Sequence, residues 1–330
     1  MAVGFGTAGC RILSHLEKTG INVDSYAYLS CEKQDLECSS SGRRLFIDIG
    51  FRGKSTPSHV RGVAQKYMKE IRRILSGSRL VFLVAGLGGC TGSGLIPLVA
   101  KVAKEEGLLT VSVIAMPFGF EKSKHFYAGI SLKNVRQNSD AVIIIDNDII
   151  SSDEEQIPIP RFYSLVNERI SAALSRIVES SGELSVGLNR LVDTITNDGY
   201  TVLGIGTSSS INKAEEATVK AVESVYGIVE PEEASSAILY LVGDKSIAAN
   251  ELTTSTSRLN TMLGKGALEV HQGFTGKGGE TMIAILLASG FRTTKFDDYD
   301  PLEKVLHNRQ IDSDMECGID EDLSNLVQIE

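Results

Sequence analysis

The segment Ala85-Gly-Leu-Gly-Gly-Cys-Thr-Gly-Ser-Gly94 limits the possible folds more than any other stretch of the chain. It follows the apolar run 80–85 (LVFLVA) and precedes a segment, 95–106, whose Leu95, Val99, Val102 and Ala103 share one helical face. A buried strand, a glycine turn and a helix in that order form a βα unit of an α/β fold. Five glycines in the nine residues 86–94 supply positive-φ backbone and leave no Cβ atoms in the way. Several amide N–H groups can then converge at the positive end of a helix, an arrangement suited to a di- or triphosphate.

Further apolar runs at 109–115 (LTVSVIA) and 141–145 (AVIII) alternate with a helical pattern over 121–138, which predicts a doubly wound parallel sheet. A long helix is expected over 162–181, carrying Leu165, Val166, Ile170, Ala173, Leu174 and Ile177, then a helix at 187–198 and a strand at 200–205. From about residue 211 the pattern changes to a helix at 212–225 and strands near 236–242, 267–272 and 280–288, a smaller α+β unit. The chain has a net charge of −9, and eleven acidic side chains fall between Asp297 and Glu330, which argues against a nucleic-acid surface. Five cysteines (Cys10, Cys31, Cys38, Cys90, Cys317) include no CxxC pair, so reduced thiols are expected. With no apolar run of membrane-spanning length and no signal-peptide pattern, a cytoplasmic location is expected, with no direct membrane insertion.

A second glycine loop, Gly4-Phe-Gly6-Thr-Ala-Gly9, opens the chain. Alone, GxGxxG suggests a dinucleotide fold with Glu32 as its ribose acid. The short first strand and the richer loop at 86–94 favour a nucleoside triphosphate instead, and GxxxxGK[ST] does not occur.

Together the loops carry a family resemblance. Gly86 to Gly94 resembles the GGGTG[ST]G signature of tubulins and FtsZ, and Met116-Pro117-Phe118-Gly-Phe120-Glu121 resembles the FtsZ segment KPFxFE. Asp146-Asn147-Asp148 is similar to PND, Ile205-Gly206 closes a stretch similar to GYAxxGxG, and Ile283 to Phe291 resembles the strand ending in ATGF. The resemblance spans about 290 residues and is closer to the prokaryotic branch, of archaeal type, than to eukaryotic tubulin. It implies the tubulin/FtsZ fold: a GTP-binding domain over 1–182, a joining loop and strand over 183–210, a C-terminal α+β domain over 211–292 and an acidic tail over 293–330. GTP or GDP is the implied cofactor, with Mg²⁺ as an optional companion.

By that resemblance Gly6, Ala8, Gly9 and Cys10 meet the α- and β-phosphates, and Gly88, Gly89, Cys90, Thr91 and Gly92 wrap the β- and γ-phosphates. Glu121 takes the ribose hydroxyls, the alternative being a solvated helix-start glutamate stabilised by the dipole. Asn147, with Asn167 or Glu168, reads the guanine edge, and Tyr163 either stacks on the base or packs in the core. His125 stands where the family has Arg, and Cys31 where it has an acid or amide. Arg52, Gly53, Lys54 and Ser55 either sense the γ-phosphate or form a solvated turn.

The resemblance fails where FtsZ proteins carry NxDxxD. The matching positions are Ser185, Gly187 and Arg190, with no acid among them. Glu183 and Asp193 are displaced by two or three residues, which at a helix start is expected to turn them away from the target. Losing a water-positioning group in phosphoryl transfer commonly costs a factor of about 10² or more. The expectation is a GTP-binding cytoskeletal protein, a head-to-tail filament or filament-associated protein of cell division or cell shape, with weak or absent hydrolysis. The alternatives are an active GTPase using Glu183 or Asp193, or a non-polymerising regulator of another filament, so enzyme status stays open. The tail, with Leu323, Leu326 and Val327 on one possible helical face, is a candidate contact for another division protein.

Overall fold

A computed structural model describes residues 1–300 except 20–22, 51–54, 151–157, 179–183, 185, 197–198, 231–233, 245–246, 264–267 and 277. Glu183, Ser185, Arg52 to Lys54, Cys317 and the tail from 301 onward therefore lie outside the described residues. The elements run β1 (Ala2–Phe5), α1 (Gly6–Lys18), β2 (Tyr26–Ser30), α2 (Lys33–Leu36), β3 (Arg43–Phe46), α3 (Pro57–Ala64), α4 (Met68–Leu75), β4 (Leu80–Gly86), α5 (Cys90–Glu105), β5 (Leu109–Met116), α6 (Lys122–Asn138), β6 (Ala141–Asp146), α7 (Asn147–Ile150) and α8 (Ile159–Val178). They continue with α9 (Leu188–Ile195), β7 (Tyr200–Ser208), α10 (Lys213–Tyr226), β8 (Ser236–Val242), α11 (Ala249–Leu263), β9 (Glu269–Thr275) and β10 (Met282–Phe291), closed by a 3-10 turn, Lys295–Tyr299.

One ten-stranded sheet, in the order β3-β2-β1-β4-β5-β6-β7-β10-β8-β9, organises the molecule. From β3 to β7 every pair is parallel; β10 then runs antiparallel between β7 and β8, and β9 pairs parallel to β8. The fold is a doubly wound α/β fold, and the strands after residue 211 extend the same sheet. Alternation along the strands feeds two cores. Val81, Leu83 and Ala85 of β4 join Leu95, Val99, Leu132 and Val222 on one face, whereas Val84 joins Ile12, Leu13, Val166, Ile170 and Leu191 on the other. Helices α5, α6 and α10 thus cover one side and α1, α8 and α9 the other.

Strand order reverses between β1 and β4: from β1 the chain moves outward to β2 and β3, and from β4 outward the opposite way to β5 and β6. A crevice opens at the carboxyl ends of the strands at such a reversal, the general ligand position in open α/β sheets. Register brings those ends level, pairing Phe5 with Ala85, Gly86 with Ala115 and Met116 with Asp146.

Helix α5 starts at Cys90, inside the glycine segment, five residues earlier than the apolar spacing indicates. It also holds Pro97, which has no N–H for the carbonyl of Ser93. The Ser131 hydroxyl on α6 donates to that carbonyl at 3.2 Å, joining the two helices where the backbone bond is lost. Among the described residues no helix is long and apolar enough to cross a membrane.

Candidate functional site

Because the four strand ends finish level, the residues following each meet in one cleft of about 530 Å³. Gly6, Thr7 and Ala8 follow β1, Leu87 and Gly89 to Gly92 follow β4, Pro117 and Glu121 follow β5, and Asn147 follows β6; Tyr163, Val166 and Asn167 of α8 close one side. The volume falls in the range of pockets that enclose a cofactor-sized ligand.

The chemistry of the cleft is set first by backbone. Helices α1 and α5 both begin here, on N-caps Phe5 and Gly89, with no side-chain cap and no acid in the first turn. Helix starts ordinarily satisfy their free N–H groups with a Ser, Thr or Asp side chain. Two starts without such caps, with their dipoles pointing at one space, leave those groups to an anion. Gly92 makes the approach possible: a Cβ there would sit 2.2 Å from the carbonyl oxygen of Gly86. Arg11 and Lys124 also line the cleft. Neither stood out in the sequence, although Arg11 lies one helical turn beyond Ala8 and Lys124 one turn beyond Glu121.

Glu121 is anchored as an acceptor. The Tyr163 hydroxyl donates to its Oε1 at 2.6 Å, Lys124 Nζ does so at 2.5 Å, and the Phe118 amide donates to Oε2 at 3.2 Å. Burial works to raise its pKa, but these donors outweigh it and hold the carboxyl below its usual range. Tyr163 serves here as the donor that orients Glu121, set edge-on to Phe118 at 5.3 Å. Across the cleft, Asn147 presents a buried Oδ1 with no hydrogen-bond partner. Orphaned buried acceptors are uncommon, and Asn147 lines the cleft, so rotation of its amide would bring this acceptor to a nucleobase N–H. Together with the two helix starts, it makes the residues present fit a purine nucleoside polyphosphate.

Five expected contacts are not brought into the cleft lining. Gly9 backs onto β4, where a Cβ would lie 2.1 Å from the Val84 carbonyl oxygen, so it serves helix–strand packing. Cys10 is fully buried, with Sγ 3.6 Å from the Gly4 carbonyl oxygen, and burial pushes its thiol well above the ordinary pKa. Gly88, at φ +91°, turns its N–H onto Ser93 Oγ at 2.8 Å and shapes the loop from within. His125 is engaged by the Phe118 carbonyl at 3.0 Å and stacks on Tyr299 at 3.9 Å. Glu168 is held by Arg161 at 3.1 Å and Ser164 at 3.0 Å on its own helix. Gly6, Ala8, Gly89, Cys90, Thr91, Gly92, Glu121, Asn147, Tyr163 and Asn167 do line it. Beside them, burial pushes the Cys31 thiol up to about 11 although the Thr91 hydroxyl pulls the other way, and Cys90 Sγ donates to the Ser55 carbonyl at 2.7 Å. Among the described residues no group of three or more His, Cys, Asp or Glu side chains could hold a metal ion.

The segment matched to NxDxxD leads into β7, whose Tyr200 pairs with Val142 near the start of β6, at the end of the sheet away from the cleft. Helix α9 carries no acid in its first turn, and its N-cap Gly187 sits at φ 78°, ψ 151°. That region is nearly glycine-only, so an acid at 187 would be strained by about 1–3 kcal/mol in this backbone although no atom crowds it. Arg190 is exposed in the first turn. Asp193, three residues further along the same helix, is also exposed, about 60° around the axis from Arg190 and roughly 4.5 Å along it.

A model described as the GTPase domain of the tubulin/FtsZ family matches residues 1–153. Cell division protein FtsZ 1 of Pyrococcus woesei is 30% identical over 251 residues, covering 73% of this chain and 68% of that protein. FtsZ 1 of Methanocaldococcus jannaschii is 27% identical over 270 residues, 78% of this chain and 74% of that protein. An empty FtsZ dimer from M. jannaschii has the same fold, with a TM-score of 0.77 at 23% identity over 89% of this chain and 92% of that one. So has a GTPγS-bound protofilament of CetZ2 from Haloferax volcanii, with a TM-score of 0.76 at 20% identity over 94% and 98%. Kinship of this extent, joined to a sheet that ends level under two glycine loops, establishes the chain as a divergent member of the tubulin/FtsZ family of cytoskeletal GTPase-domain proteins.

Proposed function

We propose that the cleft binds GTP and that the chain joins head to tail into cytoplasmic filaments of cell division or cell shape, in which the nucleotide is held between subunits and turned over slowly. The observation that carries binding is the pair of uncapped helix starts facing one cleft that is also lined by Asn147, whose Oδ1 is unsatisfied. Glu121 accepts the ribose hydroxyls, the amides of Gly89 to Gly92 receive the terminal phosphates, and Arg11 and Lys124 add positive charge in a chain that is otherwise acidic. Exposed apolar side chains flank both ends expected to meet: Phe120 and Phe126 by the cleft, Leu184 and Leu188 at the start of α9.

Slow turnover follows from what α9 brings to a neighbouring subunit's nucleotide. Arg190 cannot accept a proton at neutral pH, yet it is attracted to a γ-phosphate. Such a contact stabilises the junction without activating water. Phosphate release measured at polymerising concentrations, beside sedimentation with GTP, GDP and a non-hydrolysable analogue, tests both parts. Pelleting with every triphosphate and little release is expected; release at the rate of an ordinary FtsZ rejects the slow-turnover reading, and absence of any guanine-nucleotide affinity rejects the whole. A second reading, an active GTPase using Asp193, is favoured by the shared face of Asp193 and Arg190. It requires that Asp193→Asn remove turnover that the unaltered protein possesses.

A further inference from the structure

We infer that Lys295, on the 3-10 turn that follows the last strand, is a positioning residue for Asn147, so that the segment Thr294–Asp300 is a working part of the base-recognition wall. The inference rests on reading the cleft as a guanine-nucleotide site.

The buried Oδ1 of Asn147 has no hydrogen-bond partner among the described residues. Its place is set by the residues on either side. Asp146, the last residue of β6, is 1% exposed, and a buried carboxylate is costly unless charge and hydrogen bonds compensate it. Its Oδ1 accepts from the Asp148 amide at 2.9 Å, which fixes the turn around Asn147. Its Oδ2 makes no directed hydrogen bond; the ammonium of Lys295 is pressed against it as an ion pair. Asp148 in turn accepts from the Gly119 amide at 2.8 Å, tying the turn to the loop that leads into Glu121. Asn147 is thus flanked by two carboxylates, and Lys295 is the cation set against the buried one.

Lys295 is itself held in place from several sides. Its amide donates to the Ile228 carbonyl at 2.9 Å. Phe296 beside it is buried, and Thr294 and Asp297 cap the turn reciprocally. Tyr299 stacks on His125 in α6, the helix that Glu121 precedes as N-cap, with the rings 5° from parallel. The turn therefore touches both flanks of the cleft, the end of β6 and the start of α6, while no residue of it lines the cleft. Burial raises the pKa of Asp148, helped by the neighbouring Asp146 charge and opposed by Lys295, so the lysine steadies both carboxylates.

The test uses the full chain and equilibrium titration with GDP, ADP and inorganic pyrophosphate. In Lys295→Met the affinity for GDP is expected to fall about tenfold while pyrophosphate binding stays within about twofold, so the GDP-to-ADP preference shrinks by about tenfold. Lys295→Arg should restore the preference. The double variant Lys295→Met/Asp146→Asn removes the uncompensated charge together with its partner and should recover most of the lost preference. It also supplies a soluble protein if the single variant does not fold. A folded Lys295→Met with an unchanged GDP-to-ADP preference overturns the inference and leaves the nucleotide site standing. So does an equal loss for GDP and pyrophosphate, which marks a general structural role, or a double variant no better than the single where that one folds. Where it does not fold, a double variant with the unaltered protein's preference supports the inference and one that has lost it overturns it. An unaltered protein that does not prefer GDP to ADP overturns both the site and the inference.

Discussion

The cleft side of the molecule and the α9 segment make different demands on sequence. At the cleft, binding groups are mostly main-chain amides, and what the sequence must supply is absence: no Cβ at Gly92, no caps on α1 or α5, no acids in their first turns. In α9, a role in catalysis would need particular carboxylates at particular positions, and those are replaced by Gly187 and Arg190. Affinity built from backbone amides tolerates side-chain divergence, whereas chemistry built from placed carboxylates does not. On the proposed reading, holding a nucleotide and consuming it are separable properties.

The contrast can be broken most sharply at Gly92. Gly92→Ala places a Cβ 2.2 Å from a backbone oxygen that cannot swing aside, and forces α5 and β4 apart. A stability penalty of about 3 kcal/mol is expected, and where the displaced loop loses a comparable amount of binding energy, GTP affinity falls by about a hundredfold; titration beside a melting curve measures both. Restoring an acid in α9 is the next largest effect. Since a side chain at 187 would be strained, the tractable change is Arg190→Asp, which should raise phosphate release by about 10². No rise in filaments that still form would show that the missing carboxylate is not what limits turnover.

Smaller still is Glu121→Gln, expected to weaken GTP binding about tenfold by removing the charged acceptor. The same change should leave the affinity for 2′,3′-dideoxy-GTP nearly unaltered, because that ligand has no hydroxyls for the carboxylate. The mildest prediction concerns the scaffold beneath the phosphate loops. Glu17 of α1 accepts from the Ser41 amide and hydroxyl at 2.7 and 2.6 Å, from the Tyr28 hydroxyl at 2.7 Å and from the Ser40 amide at 3.0 Å. Burial opposes ionisation there, but these donors prevail and lower its pKa to about 2. A depressed carboxylate adds stability that is complete above its unfolded value, near 4.3, and disappears as pH falls toward 2. Glu17→Gln should therefore unfold more readily at neutral pH, and the gap from the unaltered protein should close between about pH 4.5 and 2, followed by circular dichroism.

Much of the fold was legible because β4, β5 and β6 are apolar on both faces and too short for anything but buried strands. The cleft was legible from its two glycine loops. What escaped were elements whose local preference opposes their structure. Helix α11 contains Thr253-Thr-Ser-Thr-Ser257, a run that reads as loop or strand. In the fold, Thr253, Thr254, Thr256 and Thr261 donate their hydroxyls to carbonyls four residues back, while Leu259 and Leu263 bury the inner face. Packing overrides propensity there. The start of α5 was misread for the opposite reason: glycine suggests a loop, yet Gly92 and Gly94 lie within the helix because close packing, and not helical preference, selects them. Tyr299, on which His125 stacks, lies 174 residues away and could not be read from spacing; Arg161 and Ser164, seven and four residues before Glu168 on α8, share its face and could have been.

The margins of the sheet have a consequence for how copies of the chain can meet. Strand β3 at one border begins with exposed Arg43 and Arg44, and β9 at the other opens with exposed Glu269 followed two residues on by His271, 3.3 Å from it. Charged side chains along an open border discourage another strand from zipping onto its unpaired amides. A protein that must stay crowded against its own kind without forming amyloid-like stacks gains from such fences, which steer contact away from the flanks of the plate.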